Sequence, residues 1–217
     1  MYIHKLYKTL KSLRMKKLST LALVAVFALA TWSCTSKTET TEETAEIAGL
    51  PDGELAINSE GSSVEWKGEV LGMKSHNGTV KLTEGNLTVA DGKITGGKFV
   101  VDLSTITPLD STYDAENTKE KLVGHLSSPD FFNVSEFPTA TFEITSIEGA
   151  DIKGNLTIRG KTHEEMVKNV NIDAETGKVS GVLTFDRSKY DVSFKMPVAD
   201  LVLSNEIPLN INLAIAK

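Results

Sequence analysis

The feature that most constrains this chain is the alternation in its last apolar run, Ile207-Pro-Leu-Asn-Ile-Asn-Leu-Ala-Ile215. Successive side chains of an extended strand point to opposite faces, so Ile207, Leu209, Ile211, Leu213 and Ile215 share one face while Pro208, Asn210 and Asn212 take the other. Helical periodicity would smear the same residues around an axis. A strand with one dry and one wet face belongs in an antiparallel sheet that covers its dry side.

From Gly53 onward the same grammar repeats, with turn signals at intervals of roughly 8–15 residues. Val64-Glu-Trp66-Lys-Gly-Glu-Val70, Thr139-Ala-Thr-Phe-Glu-Ile-Thr145, Asn155-Leu-Thr-Ile-Arg159 and Gly181-Val-Leu-Thr-Phe185 all read as strands. Asp91-Gly92 sits between two such runs and predicts a two-residue hairpin, because both turn positions need positive φ. No second hydrophobic layer is visible, so closure into a barrel is the arrangement that removes exposed edges. One segment departs from the pattern: residues 112–126 are rich in Ala, Glu, Lys and Leu and predict a short helix, with Asn117 and Glu120 spaced as a capping box. Ser128-Pro129-Asp130-Phe131-Phe132 predicts a further helical turn with Ser128 as its cap.

Ahead of this body the chain changes character. The apolar run from Leu18 to Trp32 follows Lys16 and Lys17, is short for a membrane span, and reads as a signal peptide over residues 1–33. The sole cysteine, Cys34, follows Ser33, where a bacterial lipoprotein signal places its lipid-accepting thiol. Residues 34–52 then form a lipidated cysteine and a Thr/Glu-rich stretch expected to be a tether, with the folded domain over residues 53–217. Thr35, rather than Asp, follows the cysteine, and by that resemblance favours a lipid anchor in the outer membrane, facing the periplasm.

Charge narrows the partners. Of the 23 basic residues six lie in residues 1–34, where there is no acidic one, leaving 17 basic against 29 acidic in the rest. A body with that acidic excess has no cationic surplus with which to bind nucleic acid. A single cysteine excludes an intrachain disulfide and any multi-cysteine metal site. His76, His125 and His163 show no metal-ligand spacing, and no P-loop, dinucleotide or nucleophile-elbow motif is present. His163 and the Glu164-Glu165 pair read as solvated turn residues, whereas His76 and His125 lie among turn and helix-end residues that could border a cavity.

Four blocks carry a resemblance: Val64-Glu-Trp66 with Ser75-His76-Asn77-Gly78; Gly97-Lys-Phe-Val-Val-Asp102; Gly124-His125-Leu126 leading to Asp130-Phe131-Phe132 and Phe137-Pro138-Thr-Ala-Thr-Phe142; and Gly154-Asn-Leu156-Thr157. Together they resemble the YceI-like family across residues 53–217, with Asn77 standing where the family often has Thr. The resemblance implies an all-β, lipocalin-like antiparallel β-barrel of about eight strands with a short helical insertion. It implies a long apolar tunnel for a polyisoprenoid, quinone or similar long-chain amphiphile, with no cofactor and no catalytic residue. The inward residues of the alternating strands supply the candidate lining: Trp66, Phe99, Val101, Phe142, Ile144, Leu156, Ile158, Leu183, Phe185, Phe194, Leu209 and Ile211, joined by His76 and His125. Expected partners are that lipid, a membrane through Cys34, and a second copy of the chain as a homodimer. Two other readings stay open on the residues alone. One is an enzyme acting on such a lipid with His76 or His125 as general base; the other is a solid barrel that serves as an interaction surface.

Overall fold

The structure, a computed structural model, describes residues 50–71, 73–193 and 202–217. Among the described residues nine strands follow in chain order: β1 (Gly53–Ala56), β2 (Ser63–Val70), β3 (Lys74–Ala90), β4 (Lys93–Pro108), β5 (Thr139–Glu148), β6 (Asp151–Ile158), β7 (Lys161–Asp173), β8 (Lys178–Asp186) and β9 (Glu206–Ala214). Neighbours pair in the order β3-β2-β9-β8-β7-β6-β5-β4, and the β3–β4 pairing closes the ring. Eight antiparallel strands therefore make a closed barrel, as expected. β1 is an extra strand laid along the C-terminal half of β3, with Gly53 opposite Val89.

The two ends of the barrel are built differently. Short hairpins join β3 to β4, β5 to β6 and β7 to β8 at one end, here the hairpin end. The β2–β3 turn, the long passage from β4 to β5, the β6–β7 turn and the β8–β9 connection gather at the other, the helical end. Asp91 (φ 52°) and Gly92 (φ 69°) form the expected left-handed turn between β3 and β4. Arg159 (φ 50°) and Gly160 (φ 71°) do the same between β6 and β7. Arg159 has no glycine-like freedom, but its guanidinium donates to the carbonyls of Phe131 (2.6 Å) and Asp191 (2.7 Å), which ties three connections of the helical end together.

Long strands keep to the barrel by changing phase. In β3, Val80 and Leu82 are buried, then Leu87 and Val89, an odd-numbered step that inverts the alternation. The register against β4 shifts between Leu82 and Glu84, so a bulge supplies the extra residue and the added coiling.

The helix α1 spans Lys119–Ser127 and is shorter than expected. Its cap is Thr118, whose hydroxyl accepts from the Lys121 amide at 3.3 Å, and not Asn117. The Asn117 amide instead donates to Asp114 in the loop before the helix, so residues 112–117 are held by an Asp-centred turn. Ser128 starts no second helix. Its hydroxyl donates back to the His125 carbonyl (2.8 Å), and a single turn closes with Phe131 N to Ser128 O before the chain doubles back through Phe132 N to Leu126 O.

Packing begins ahead of residue 53. Leu50 is buried in the main hydrophobic cluster, so the boundary expected at residue 52 lies within the packed body. The expected signal peptide, Cys34 and most of the tether lie outside the described residues.

Candidate ligand-binding site

Inside the barrel is a cavity of about 580 Å³, a size ordinary for a small-molecule site. Its wall is almost wholly apolar. Twelve of the sequence-derived candidates line it: Trp66, His76, Phe99, Val101, His125, Phe142, Leu156, Ile158, Leu183, Phe185, Leu209 and Ile211. Ile144 does not. It is buried at the hairpin end, where its Cδ1 fills the space beside Gly97 and Leu87. Phe194 lies outside the described residues. Further lining comes from Val64, Val80, Leu82, Ile106, Val167, Val179 and Leu213, each an inward position of its strand.

Two large rings are seated by glycines on neighbouring strands. Trp66 faces Gly78 across the β2–β3 pairing, where any Cβ would enter the indole and the Thr107 carbonyl; its Nε1 donates to the Thr79 carbonyl at 3.2 Å. Phe142 likewise lies against Gly154. A missing side chain lets each ring lie along the wall.

The polar atoms of the cavity wall concentrate at the helical end. His76, on β3, turns Nδ1 to the carboxylate of Asp110 (3.2 and 3.3 Å). Asp110 follows the end of β4 and its side chain is 8 % exposed. It also accepts from the Thr112 hydroxyl (2.6 Å), the Thr112 amide, the Tyr113 hydroxyl (2.9 Å) and the Asn77 amide. The Tyr113 ring stacks on His76, centroids 5.5 Å apart, and Lys119 Nζ lies over the Tyr113 ring, 5.6 Å from its centroid. Burial pushes the Asp110 carboxyl up, but the hydrogen bonds from Thr112, Tyr113 and His76 together outweigh it and hold the group well below the usual carboxylate range. Burial first, and then the bond to Asp110, push the Tyr113 hydroxyl up to about 12.

On α1, His125 lines the cavity and meets Phe131 edge-on at 5.1 Å. His163 and Glu165 correct the expectation of a solvated turn. Both lie on β7, half-buried: His163 bonds the Lys189 carbonyl through Nε2 (3.0 Å) and meets Tyr190 edge-on, while Glu165 accepts from Tyr190 (3.1 Å) and Lys189 (3.2 Å). They brace the 3-10 turn Arg187–Tyr190 against the sheet. Arg187, 5 % exposed at the cavity wall, donates to the carbonyls of Ser204, Val192 and Leu203 and so ties the start of the β8–β9 connection to its end. Sequence reasoning misses Asp110, Tyr113 and Arg187, because what brings each to the cavity wall is a partner remote in sequence, His76 for the first two and Leu203 and Ser204 for Arg187, added to local turn bonds that carry no functional signal. Among the described residues no group of three or more His, Cys, Asp or Glu could hold a metal ion.

The YceI-like domain matches residues 55–215, which is most of the chain and the whole of the barrel. The chain belongs to the YceI-like family. A UPF0312 protein of Enterobacter sp. (strain 638) is 30% identical over 158 residues, covering 70% of this chain and 76% of that one. A UPF0312 protein of Pseudomonas putida (strain W619) is 34% identical over 116 residues, or 50% of this chain and 57% of its own length, so that match spans little more than half of the relative. Among solved structures, BcnA of Burkholderia cenocepacia superposes with a TM-score of 0.57 at 19% identity, covering 74% of this chain and 99% of its own. A polyisoprenoid binding domain from Saccharophagus degradans does so at 0.50 and 12%, covering 73% and 95%. At those identities both likenesses speak for the YceI-like barrel itself.

Proposed function

We propose that this YceI-like protein is a binding protein of the bacterial cell envelope that holds one long apolar chain, isoprenoid or quinone-like, within its barrel and performs no reaction on it. One observation carries the reading: a continuous cavity of about 580 Å³ with an apolar wall runs through the interior of a barrel that could have been filled by side chains. The description of the Saccharophagus degradans neighbour as a polyisoprenoid binding domain supports the same ligand class. Burial of methylenes at roughly 0.8 kcal/mol each would supply the affinity, so chain length would count for more than headgroup chemistry. Lipidation at Cys34 would keep the protein at the outer membrane, facing the periplasm.

The test is mass spectrometry of a lipid extract from protein purified out of its native host. A stoichiometric long-chain isoprenoid or quinone is the expected result, and an empty barrel in protein never exposed to detergent contradicts it. A second reading, an enzyme acting on such a lipid, draws on the His76–Asp110 pair at the cavity wall, since a carboxylate that orients an imidazole is a familiar arrangement for a general base. Turnover of the extracted lipid by the wild type, abolished in His76→Ala, would establish it.

A further inference from the structure

Exposed apolar side chains are not spread evenly over the barrel. Among the described residues six large ones are exposed, and four of them, Leu71, Met73, Leu109 and Val202, each more than half exposed, stand at the helical end. Leu71 and Met73 lie in the β2–β3 turn, and the Leu71 amide donates to the Val202 carbonyl (2.8 Å), which places the β8–β9 connection beside that turn. Leu109 follows β4, and its amide donates to the Asn77 carbonyl on β3 (2.8 Å). The other two, Ile147 and Val182, lie apart on β5 and β8. The cavity reaches the surface at the same end. Of the described residues that line it only Lys74, Asn117 and Lys121 are exposed, so it opens between the β2–β3 turn and the start of α1. Met73 immediately precedes Lys74, and an apolar rim therefore borders an apolar opening. Exposed apolar surface gathered in this way marks a place of contact.

We infer that the helical end docks on a lipid bilayer, with Leu71, Met73, Leu109 and Val202 entering the boundary between headgroups and acyl chains, so that the cavity opens onto the membrane. Passage of a lipid through that opening rests on the lipid-binding reading above; the docking itself rests on the rim. Area favours a bilayer over a protein partner or a second copy, because four side chains offer a few hundred Å², well short of the about 800 Å² that each side of a stable protein interface buries. A bilayer needs no matching surface and accepts a few protruding side chains. Charge agrees. No acidic side chain lines the cavity, and the charged residues exposed at its opening, Lys74 and Lys121, are cations on apolar stems that suit the headgroup layer. Asp114, Glu116 and Glu120 stand nearby in the chain, so attachment depends on the apolar rim more than on charge. The chain enters the barrel at the opposite end: Leu50 packs in the core cluster, and Asp52 accepts from the Gly92 amide in the β3–β4 turn (3.0 Å). Fifteen residues separate Cys34 from Leu50, and at up to about 3.5 Å each they let either end of the barrel face the bilayer. An anchor at Cys34 therefore leaves the orientation to the rim.

The experiment places an environment-sensitive thiol-reactive fluorophore on the full chain carrying Cys34→Ser, at the rim through Met73→Cys or at the hairpin end through Lys93→Cys, on vesicles of phosphatidylethanolamine and phosphatidylglycerol. The apolar run of residues 18–32 is common to both proteins, so attachment as such does not score. Emission from position 73 should shift to the blue and be quenched by acyl-chain spin-labelled lipids several-fold more strongly than emission from position 93. Equal quenching at the two positions, or stronger quenching at 93, overturns the docking, and a rim that is shielded without quenching by lipid assigns it to a protein or a second copy instead. A second measurement uses Leu71→Ser with Val202→Ser, both exposed and neither lining the cavity, so that fold and pocket are kept. Transfer of a fluorescent prenyl alcohol from vesicles into the barrel should slow about tenfold, the effect of losing one large apolar anchor, with its equilibrium affinity unchanged. An unchanged transfer rate overturns the inference. If no prenyl alcohol enters the wild type at all, the lipid-binding reading falls, while the quenching at position 73 still decides the docking.

Discussion

Phe142 and Ile144 stand two residues apart on the same face of β5, and they do opposite things. Phe142 borders the cavity, whereas Ile144 is locked among Gly97, Leu87 and the rest of a packed cluster at the hairpin end. The contrast extends to the whole barrel. Leu50, Ile57, Leu87, Val89, Ile94, Ile144 and Ile152 are buried in the hydrophobic cluster, and none of them borders the cavity. The remaining inward residues surround empty space that ends, at the helical end, in the polar cluster around Asp110. Strand alternation is the same in both regions, so what separates them is what arrives from outside the ring: β1 and Leu50 add side chains to the packed region, while long connections hold the helical end apart.

Truncation should give the largest difference between the regions. Leu87→Ala removes a side chain that is 1 % exposed from a filled site and should cost about 3 kcal/mol, whereas Leu209→Ala only enlarges a space already present and should cost about 1 kcal/mol. Urea unfolding of the two variants measures it; equal costs would mean that the regions are packed alike. Leu50→Ala should cost about 2 kcal/mol by the same method, because Leu50 belongs to the packed cluster and not to the tether.

Enlargement should show the reverse asymmetry. Ile152→Trp overfills the packed region at roughly 1–3 kcal/mol, while Leu156→Trp projects into the cavity and should cost under about 1 kcal/mol. Calorimetric titration with a long isoprenoid should then show binding lost in Leu156→Trp and kept in Thr157→Trp, whose side chain bonds Thr162 on the outer face.

How far the sequence reveals all this depends on the range of the cause. The inward faces of β9, β8 and β6 follow from alternation alone, and Asp91-Gly92 marks its hairpin through local backbone chemistry. Alternation cannot say at which height a barrel is filled, which is why Ile144 is mistaken for a cavity residue. The bulge in β3 has a visible trace, the odd spacing from Leu82 to Leu87, but its partner in β4 is needed to see which face each half takes. Asp110 shows locally only as the head of a turn, through Thr112 and Tyr113, and its place at the cavity wall comes from His76, 34 residues earlier.

The contribution of the polar cluster is read out by pH. Asp110 is held below its ordinary value of 3.8, so the stability it confers is complete above about pH 4 and is lost as pH falls through its lower folded value. Tyr113 is raised from 10.0 to about 12, so its contribution is complete below about pH 10 and is lost as pH rises through about 12. Absorbance titration should show Tyr113 ionising near pH 12 in the folded protein, and Asp110→Asn should bring it back toward 10.

The hollow region itself is tested most directly through Trp66, which lines the cavity and shares the chain with only one other tryptophan, Trp32. With Trp32→Phe in the full chain, titration with a long-chain prenyl hydroquinone should quench Trp66 emission and saturate at one ligand per barrel. Emission that stays unchanged, or falls without saturating, would contradict a cavity that holds a chain lipid.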